Sequence, residues 1–419
     1  MQHFIRSLCI LPLFSFMAFA QEPNWNQWRG PNSTNHSFST GIAPSWGAGG
    51  PRLLWKTNTV GNGYSSITFY GDKMFTMGDL DNQSYVFALD RNTGKEIWKS
   101  LIGKGGDGGG GYAGTLGTPA CDGETVYAMN QFSEFAALDV KDGSVRWRKN
   151  TQNDLGGRKL SGWGYSQSPI LDGDKIVIPI GGEGGTLAAF SKSGELLWRS
   201  AELKDTVTHV SAVPVEIAGV PQYLLLTGGT SGGLLSLFGG CKLVGFSPAD
   251  GKILWQIPFR GRIAVCSDPV LCGDVVMAST GYDGADFYRI TKEGNEFKAV
   301  KFHENTALLS HHGGIVAVGD HFYLLSDKKG LTCVEAKTGK IVWENRSIGK
   351  GSLTYADGKL IARSERGPIV LVEAAPEGCK ELGRFTPDSS ERNTWSYPVV
   401  VDKKLYLRDQ NVLFGYDLN

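Results

Sequence analysis

The chain has 419 residues, and 42 Lys plus Arg are balanced by 42 Asp plus Glu. The zero formal charge and the lack of a basic stripe exclude electrostatic capture of nucleic acid. The length alone suggests two or three domains, and 57 glycines point to a chain with many tight turns.

Residues 1–20 read as a secretory signal. His3 and Arg6 precede an apolar run from Leu8 to Phe19, and Ala18-Phe-Ala20 forms a small-residue cleavage site before Gln21. The run is too short for a stable membrane span. Cys9 is not placed like a lipobox cysteine. The expectation is export to the periplasm or medium, with cleavage near Ala20 and no lipid anchor. Residues 21–50 carry Asn24-Trp-Asn-Gln-Trp-Arg-Gly-Pro-Asn32, an aromatic segment read as a strap that packs Trp25 and Trp28 on the side of the following domain.

From residue 51 the chain repeats itself. Pro51-Arg-Leu-Leu-Trp55 is a strand ending in Trp with no hairpin before it. Ala88-Leu-Asp-Arg-Asn-Thr-Gly-Lys-Glu-Ile-Trp98 is a full phrase, and Ala137 to Trp147, Ala189 to Trp198, Gly245 to Trp255 and Val334 to Trp343 restate it. Each reads as two strands around a polar turn whose Gly supplies a positive φ. The turn glycines Gly94, Gly143, Gly194, Gly251, Gly294, Gly339 and Gly378 recur at intervals of 39 to 57 residues. Gly294 and Gly378 are followed by Phe297 and Phe385 where Trp is expected.

A second hairpin precedes each phrase. Its turns are Gly71-Asp72, Asp122-Gly123, Asp172-Gly173, Ala218-Gly219, Gly273-Asp274, Gly319-Asp320, Asp357-Gly358 and Asp402-Lys403. The chain ends on Val412-Leu-Phe-Gly-Tyr-Asp417, a third strand lacking a partner. Joined to the Trp55 strand, it completes an eighth unit. The predicted fold is all-β: an eight-bladed β-propeller of four-stranded antiparallel blades over residues 51–419, its last blade closed by the N- and C-terminal strands. Closure removes free sheet edges. Trp55, Trp98, Trp147, Trp198, Trp255 and Trp343 share one repeat position and are assigned to structural docking between blades.

These phrases resemble the pyrroloquinoline-quinone (PQQ)-type propeller repeat, with its A-x-D-x-x-T-G-x-x-x-W tryptophan docking motif matched best at Ala88 to Trp98. The resemblance covers roughly residues 51 to 419 and implies an eight-bladed propeller. The family holds both quinoprotein dehydrogenases and the assembly lipoprotein BamB, so it implies no single activity.

Function must come from residues that break the repeat. The loops that follow each docking Trp and lead into the next blade are the least repetitive segments, and in this fold family their face carries the functional sites. They hold Gly61-Asn-Gly-Tyr64, the glycine-rich Gly103 to Tyr112, Trp163-Gly-Tyr-Ser166, Thr206-Val-Thr-His209, Arg260 and Arg262, His311-His312 and Arg392-Asn-Thr-Trp395. Trp163, Tyr165, His209, Arg262, His311 and Trp395, from five loops, are the candidate binding residues at the channel mouth. The glycine-rich loop reads as a flexible linker, since no G-K-[ST] follows it. Adjacent His311 and His312 on a strand would face opposite ways, which disfavours a shared metal. Arg260 and Arg262 either steer anions or bond loop carbonyls.

No catalytic residue and no metal ligand is assigned. The leading expectation is a monomeric, non-catalytic binding or assembly scaffold, BamB-like, with a protein partner, a peptide or a polar small ligand on one face. The first alternative is a periplasmic alcohol or sugar dehydrogenase using PQQ with Ca2+, and only then would a cofactor be present. Against it, the chain lacks the adjacent cysteine pair of those enzymes, although Asp268 could serve as a base. The second alternative is a glycan-binding propeller. Of six cysteines beyond the signal, Cys266 and Cys272 flank a strand and are the pair close enough in sequence to form a disulfide.

Overall fold

The computed structural model describes residues 25–229, 240–389 and 393–419; the signal segment, Asn24 and Arg392 lie outside them. Eight four-stranded units follow one another along the chain, and the described residues contain no helix. Blades 1 to 7 span residues 68–104, 120–150, 170–199, 213–258, 270–305, 316–345 and 351–385. Blade 8 takes three strands from 399–417 and its outermost strand from Arg52–Thr57. The fold is therefore the eight-bladed propeller that the repeats predict, and every predicted inner turn joins the first and second strands of a blade. Ring closure is antiparallel, with Arg52 opposite Asp417 and Trp55 opposite Gly415.

The core lies between blades. Phe75, Met77 and Val86 of blade 1 pack with Val126, Ala128 and Leu138 of blade 2, and Trp98 closes that layer. Blade 8 meets blade 1 in the same way through Tyr406, Val399, Phe69 and Phe87. Each sheet thus buries both faces, which is why its middle strands read as continuous apolar runs.

The repeated tryptophans straddle these seams. Trp55 lies on Gly94 of blade 1, where an added Cβ would come within 2.6 Å of the ring, and its Nε1 donates to Arg91 O at 3.2 Å. Trp98 donates to Val140 O at 3.0 Å, Trp147 to Lys192 O at 2.9 Å and Trp343 to Ala375 O at 3.1 Å, each in the next blade. Trp198 covers Gly251, but its Nε1 has no hydrogen-bond partner among the described residues. Trp255 instead bonds Gln222 within its own blade at 2.7 Å.

Two positions differ from the sequence expectation. In blade 5 the register, with its shift at Phe287/Tyr288, places His303, not Phe297, opposite Phe287, at the position that Ala, Gly or Cys fills in the tryptophan blades. The His303 ring covers Gly339 as the tryptophans cover their glycines. In blade 7 the equivalent register falls on Gly383, not Phe385, and Trp46 from the strap lies over that glycine. The bulge beside the docking position recurs in the tryptophan blades, but in blade 5 the hairpin pairs on to Glu293 and Glu296 and in blade 7 the turn runs from Glu373 to Lys380, so counting from the turn glycine fails there.

The strap also takes a different path. Residues 25–37 are threaded between the inner strands, not laid on the propeller's side. Trp25 bridges Phe69 of blade 1, and Asn26 O accepts from Cys121 N of blade 2 at 2.8 Å. Gln27 Oε1 accepts from Leu171 N of blade 3 at 2.7 Å. Arg29 donates to Ile315 O at 2.8 Å, at the start of blade 6. His36–Ser37 pairs in parallel with Tyr355 and Ala356 of blade 7, and Ser37 Oγ donates to Val400 O of blade 8 at 2.7 Å. Positive φ at Arg29 and Gly30 reverses the segment on itself inside the ring. The segment satisfies backbone groups on inner strands that would otherwise face the channel.

Candidate functional site

Above this plug lies an open cavity of about 490 Å3. Its floor includes Trp28, whose Nε1 donates to Asp268 Oδ2 at 2.7 Å and whose ring packs 4.5 Å from Tyr397. Asp268 also accepts from Ser211 N at 3.0 Å and lies 3.6 Å from Arg29 Nη1. Burial raises the carboxyl's pKa, opposed by Arg29 and by these bonds. Asp268 fastens the plug and is not among the lining residues. It is therefore poorly placed as a base for a substrate in the cavity.

One wall is built around Trp395. Its ring stacks on Tyr64 at 4.4 Å and on His312 at 5.6 Å, with Tyr112 at 4.8 Å. Its Nε1 donates to Glu365 Oε1 at 2.8 Å. Glu365 further meets His312 Nε2 at 3.3 Å and Lys350 Nζ at 3.2 Å. Burial alone would raise the Glu365 carboxyl, but His312, Trp395 and Lys350 outweigh it and hold it at about 2. Burial likewise lowers the His312 imidazole, and Glu365 only partly offsets this.

The facing wall carries Trp163 and His209, with ring centroids 5.3 Å apart. His209 sits between Ser161 Oγ, 2.9 Å from Nε2, and Ser166 Oγ, 3.1 Å from Nδ1. Burial, with Lys159 nearby, lowers its pKa to about 4, so the ring is neutral at pH 7. The glycine-rich loop is no free linker. Asp107 accepts from Gly109 N and Gly111 N at 2.8 and 2.9 Å, and Gly110 lies flat against the Trp163 indole, where no Cβ fits. Between the walls, His311 Nδ1 lies 2.7 Å from Asp327 Oδ2, and Tyr282 meets the His311 ring edge-on at 4.6 Å.

Of the six candidates named from sequence, Trp163, His209, His311 and Trp395 line this cavity. Tyr165 and Arg262 do not. Tyr165 is 1 % exposed, packed into the layer between blades 2 and 3. Arg262 is 52 % exposed, and Asp283 draws its guanidinium aside at 2.6 Å. His311 and His312 both reach the cavity because they occupy a bend, where strand alternation does not apply. Sequence reasoning passed over Trp28 as a lining residue, and also Tyr282, Lys350, Glu365 and Arg366. Tyr282, Glu365 and Arg366 sit in turns between the second and third strands of blades 5 and 7, which reach the same face as the lead-in loops. Chemically the wall offers aromatic surface, neutral imidazoles and a locked ion pair. Cys266 also lines it, but burial pushes its thiol up to about 12 and keeps it protonated. Cys266 and Cys272, which the sequence leaves free to pair, do not: both are free thiols, and Cys272 Sγ donates to Gly319 O at 3.2 Å.

Among proteins of known kind, the chain is 24% identical over 377 residues to the outer membrane protein assembly factor BamB of Shewanella oneidensis, covering 75% of this chain and 86% of that one. The crystal structure of BamB from Moraxella catarrhalis superposes with a TM-score of 0.59 at 13% identity, covering 87% of this chain and 97% of that one. The quinohemoprotein alcohol dehydrogenase ADHIIG from Pseudomonas putida HK5 superposes with a TM-score of 0.67 at 13% identity, covering 94% and 80%. At that identity both structures speak for the fold alone. A family model described as outer membrane protein assembly factor BamB matches residues 82–318 and 294–378, most of the ring. The chain belongs to the family of the outer membrane protein assembly factor BamB.

Proposed function

We propose that the protein is an exported, non-catalytic binding scaffold, with the aromatic cavity at the channel mouth as its ligand seat. The observation that carries this reading is the cavity itself: loops from around a closed ring meet above a self-made plug, in a geometry fixed before any ligand arrives. Its BamB relatives are named as assembly factors, which favours protein partners on the same molecule.

The dehydrogenase alternative needs a quinone held over a calcium ion by carboxylate and amide oxygens. The residues present do not match it. Among the described residues the wall carries one carboxylate, Glu365, already engaged by Trp395, His312 and Lys350. Among the described residues no three His, Cys, Asp or Glu are grouped to hold a metal.

The test is a titration of the purified protein with PQQ and CaCl2, followed by absorbance and by dye reduction with alcohols and sugars. The expected result is no saturable quinone spectrum and no turnover. In parallel, a photo-cross-linker at Tyr112 should capture a partner in cells. Stoichiometric quinone binding with dye reduction overturns the proposal.

A further inference from the structure

We infer that the cavity receives a pyranose ring of an oligosaccharide. This rests on the reading of the cavity as a ligand seat and names the chemistry that it accepts.

Three observations converge. First, among the described residues every lining residue lies in a loop, bend or turn, and none belongs to a strand. The wall presents no strand edge, so an extended peptide cannot add to it as an extra strand. Recognition falls to side chains. Second, aromatic surface meets the occupant from several sides. Trp28 lies at the floor, Trp163 and Trp395 stand on facing walls, and Tyr112 and Tyr282 are exposed near the mouth. Rings of this kind offer flat apolar faces that suit the C–H faces of a pyranose.

Third, the remaining polar atoms suit hydroxyl groups. His311 uses Nδ1 on Asp327, and Nε2 has no protein hydrogen-bond partner among the described residues. With Nδ1 bonded to that carboxylate, Nε2 is left to exchange a hydrogen bond with a hydroxyl. Lys350 has three protons and two carboxylate neighbours, Glu365 at 3.2 Å and Asp327 at 4.0 Å, which leaves a donor to spare. The Arg366 side chain is 77 % exposed, and its ion-pair contact is to Glu365 at 3.9 Å. A sugar hydroxyl both donates and accepts, so one ring can satisfy this mixed set while stacking on the aromatic faces. The Lys350–Glu365 pair fixes both partners before the ligand arrives.

The experiment titrates maltopentaose, cellopentaose and chitopentaose into the intact exported chain, read by tryptophan fluorescence and calorimetry. A proline-rich peptide is the rival, since such peptides also favour aromatic grooves. At least one sugar should bind saturably at one site. Tyr282→Ala and Arg366→Ala, both on exposed side chains, should weaken it about tenfold with the melting temperature unchanged. Three results overturn the inference: no sugar binds, binding is indifferent to both substitutions, or the peptide alone occupies the site. None of these bears on the scaffold reading, which stands or falls on the quinone titration and the cross-link.

Discussion

Trp55 offers the sharpest test of how the ring is held. It belongs to the N-terminal strand of blade 8, yet its indole covers Gly94 and donates to Arg91 O in blade 1. The side chain is 9 % exposed and packs with Tyr406 and Phe69. Trp55→Ala should cost roughly 3–5 kcal/mol by cavity formation and loss of the indole bond. Unfolding entropy of about 2.1 cal/mol/K per residue, over a ring of about 400 residues, makes that a fall of about 5 °C in Tm.

The opposite perturbation is Gly94→Ala. Gly94 has φ +69°, and its Cβ would meet the Trp55 ring at 2.6 Å. Backbone strain costs about 1–2 kcal/mol and overpacking about 1–3 kcal/mol. Removing the indole abolishes the second cost but not the first. The double variant should therefore be less destabilised than the sum of the singles by about 1 kcal/mol or more. Urea unfolding, followed by near- and far-ultraviolet circular dichroism together, measures this. Additivity within about 0.3 kcal/mol would refute direct docking of Trp55 on Gly94 and, with it, the clamp across the closing seam.

Two further outcomes are expected. Deleting residues 412–419 removes the strand that joins Arg52–Thr57 to blade 8, so it should expose two sheet edges and lower the melting temperature of the whole domain; an unchanged value contradicts the shared blade. His209, lowered by burial to about 4 from an unfolded value of 6.5, lets the unfolded chain bind the extra proton first; its contribution to stability should be complete above pH 6.5 and fall away toward pH 4. His209→Gln should flatten the stability profile in that window, and an identical profile excludes a buried neutral imidazole.

The repeats alone specified the ring. Blade number, strand order, the inner turns and closure at Trp55 and Asp417 follow from local rules: apolar alternation, glycine at turns, and a Trp closing most phrases. These constraints act within one hairpin, so each copy of the phrase reports its own structure. The lead-in loops could also be singled out as functional, because they depart from the phrase. Three features depended on tertiary structure. A longer hairpin gave the docking position of blade 5 to His303, and Trp46 came from the strap to cover Gly383 in blade 7. The Trp25–Ser37 segment entered the channel through bonds to residues far along the chain, from Phe69 to Val400. The cavity took one to three residues from each of many loops, admitting Glu365 and Tyr282 while Tyr165 turned into the core and Arg262 toward Asp283. No periodicity records such choices, because they depend on which backbone groups the closed ring leaves unpaired and on which charges it brings within reach.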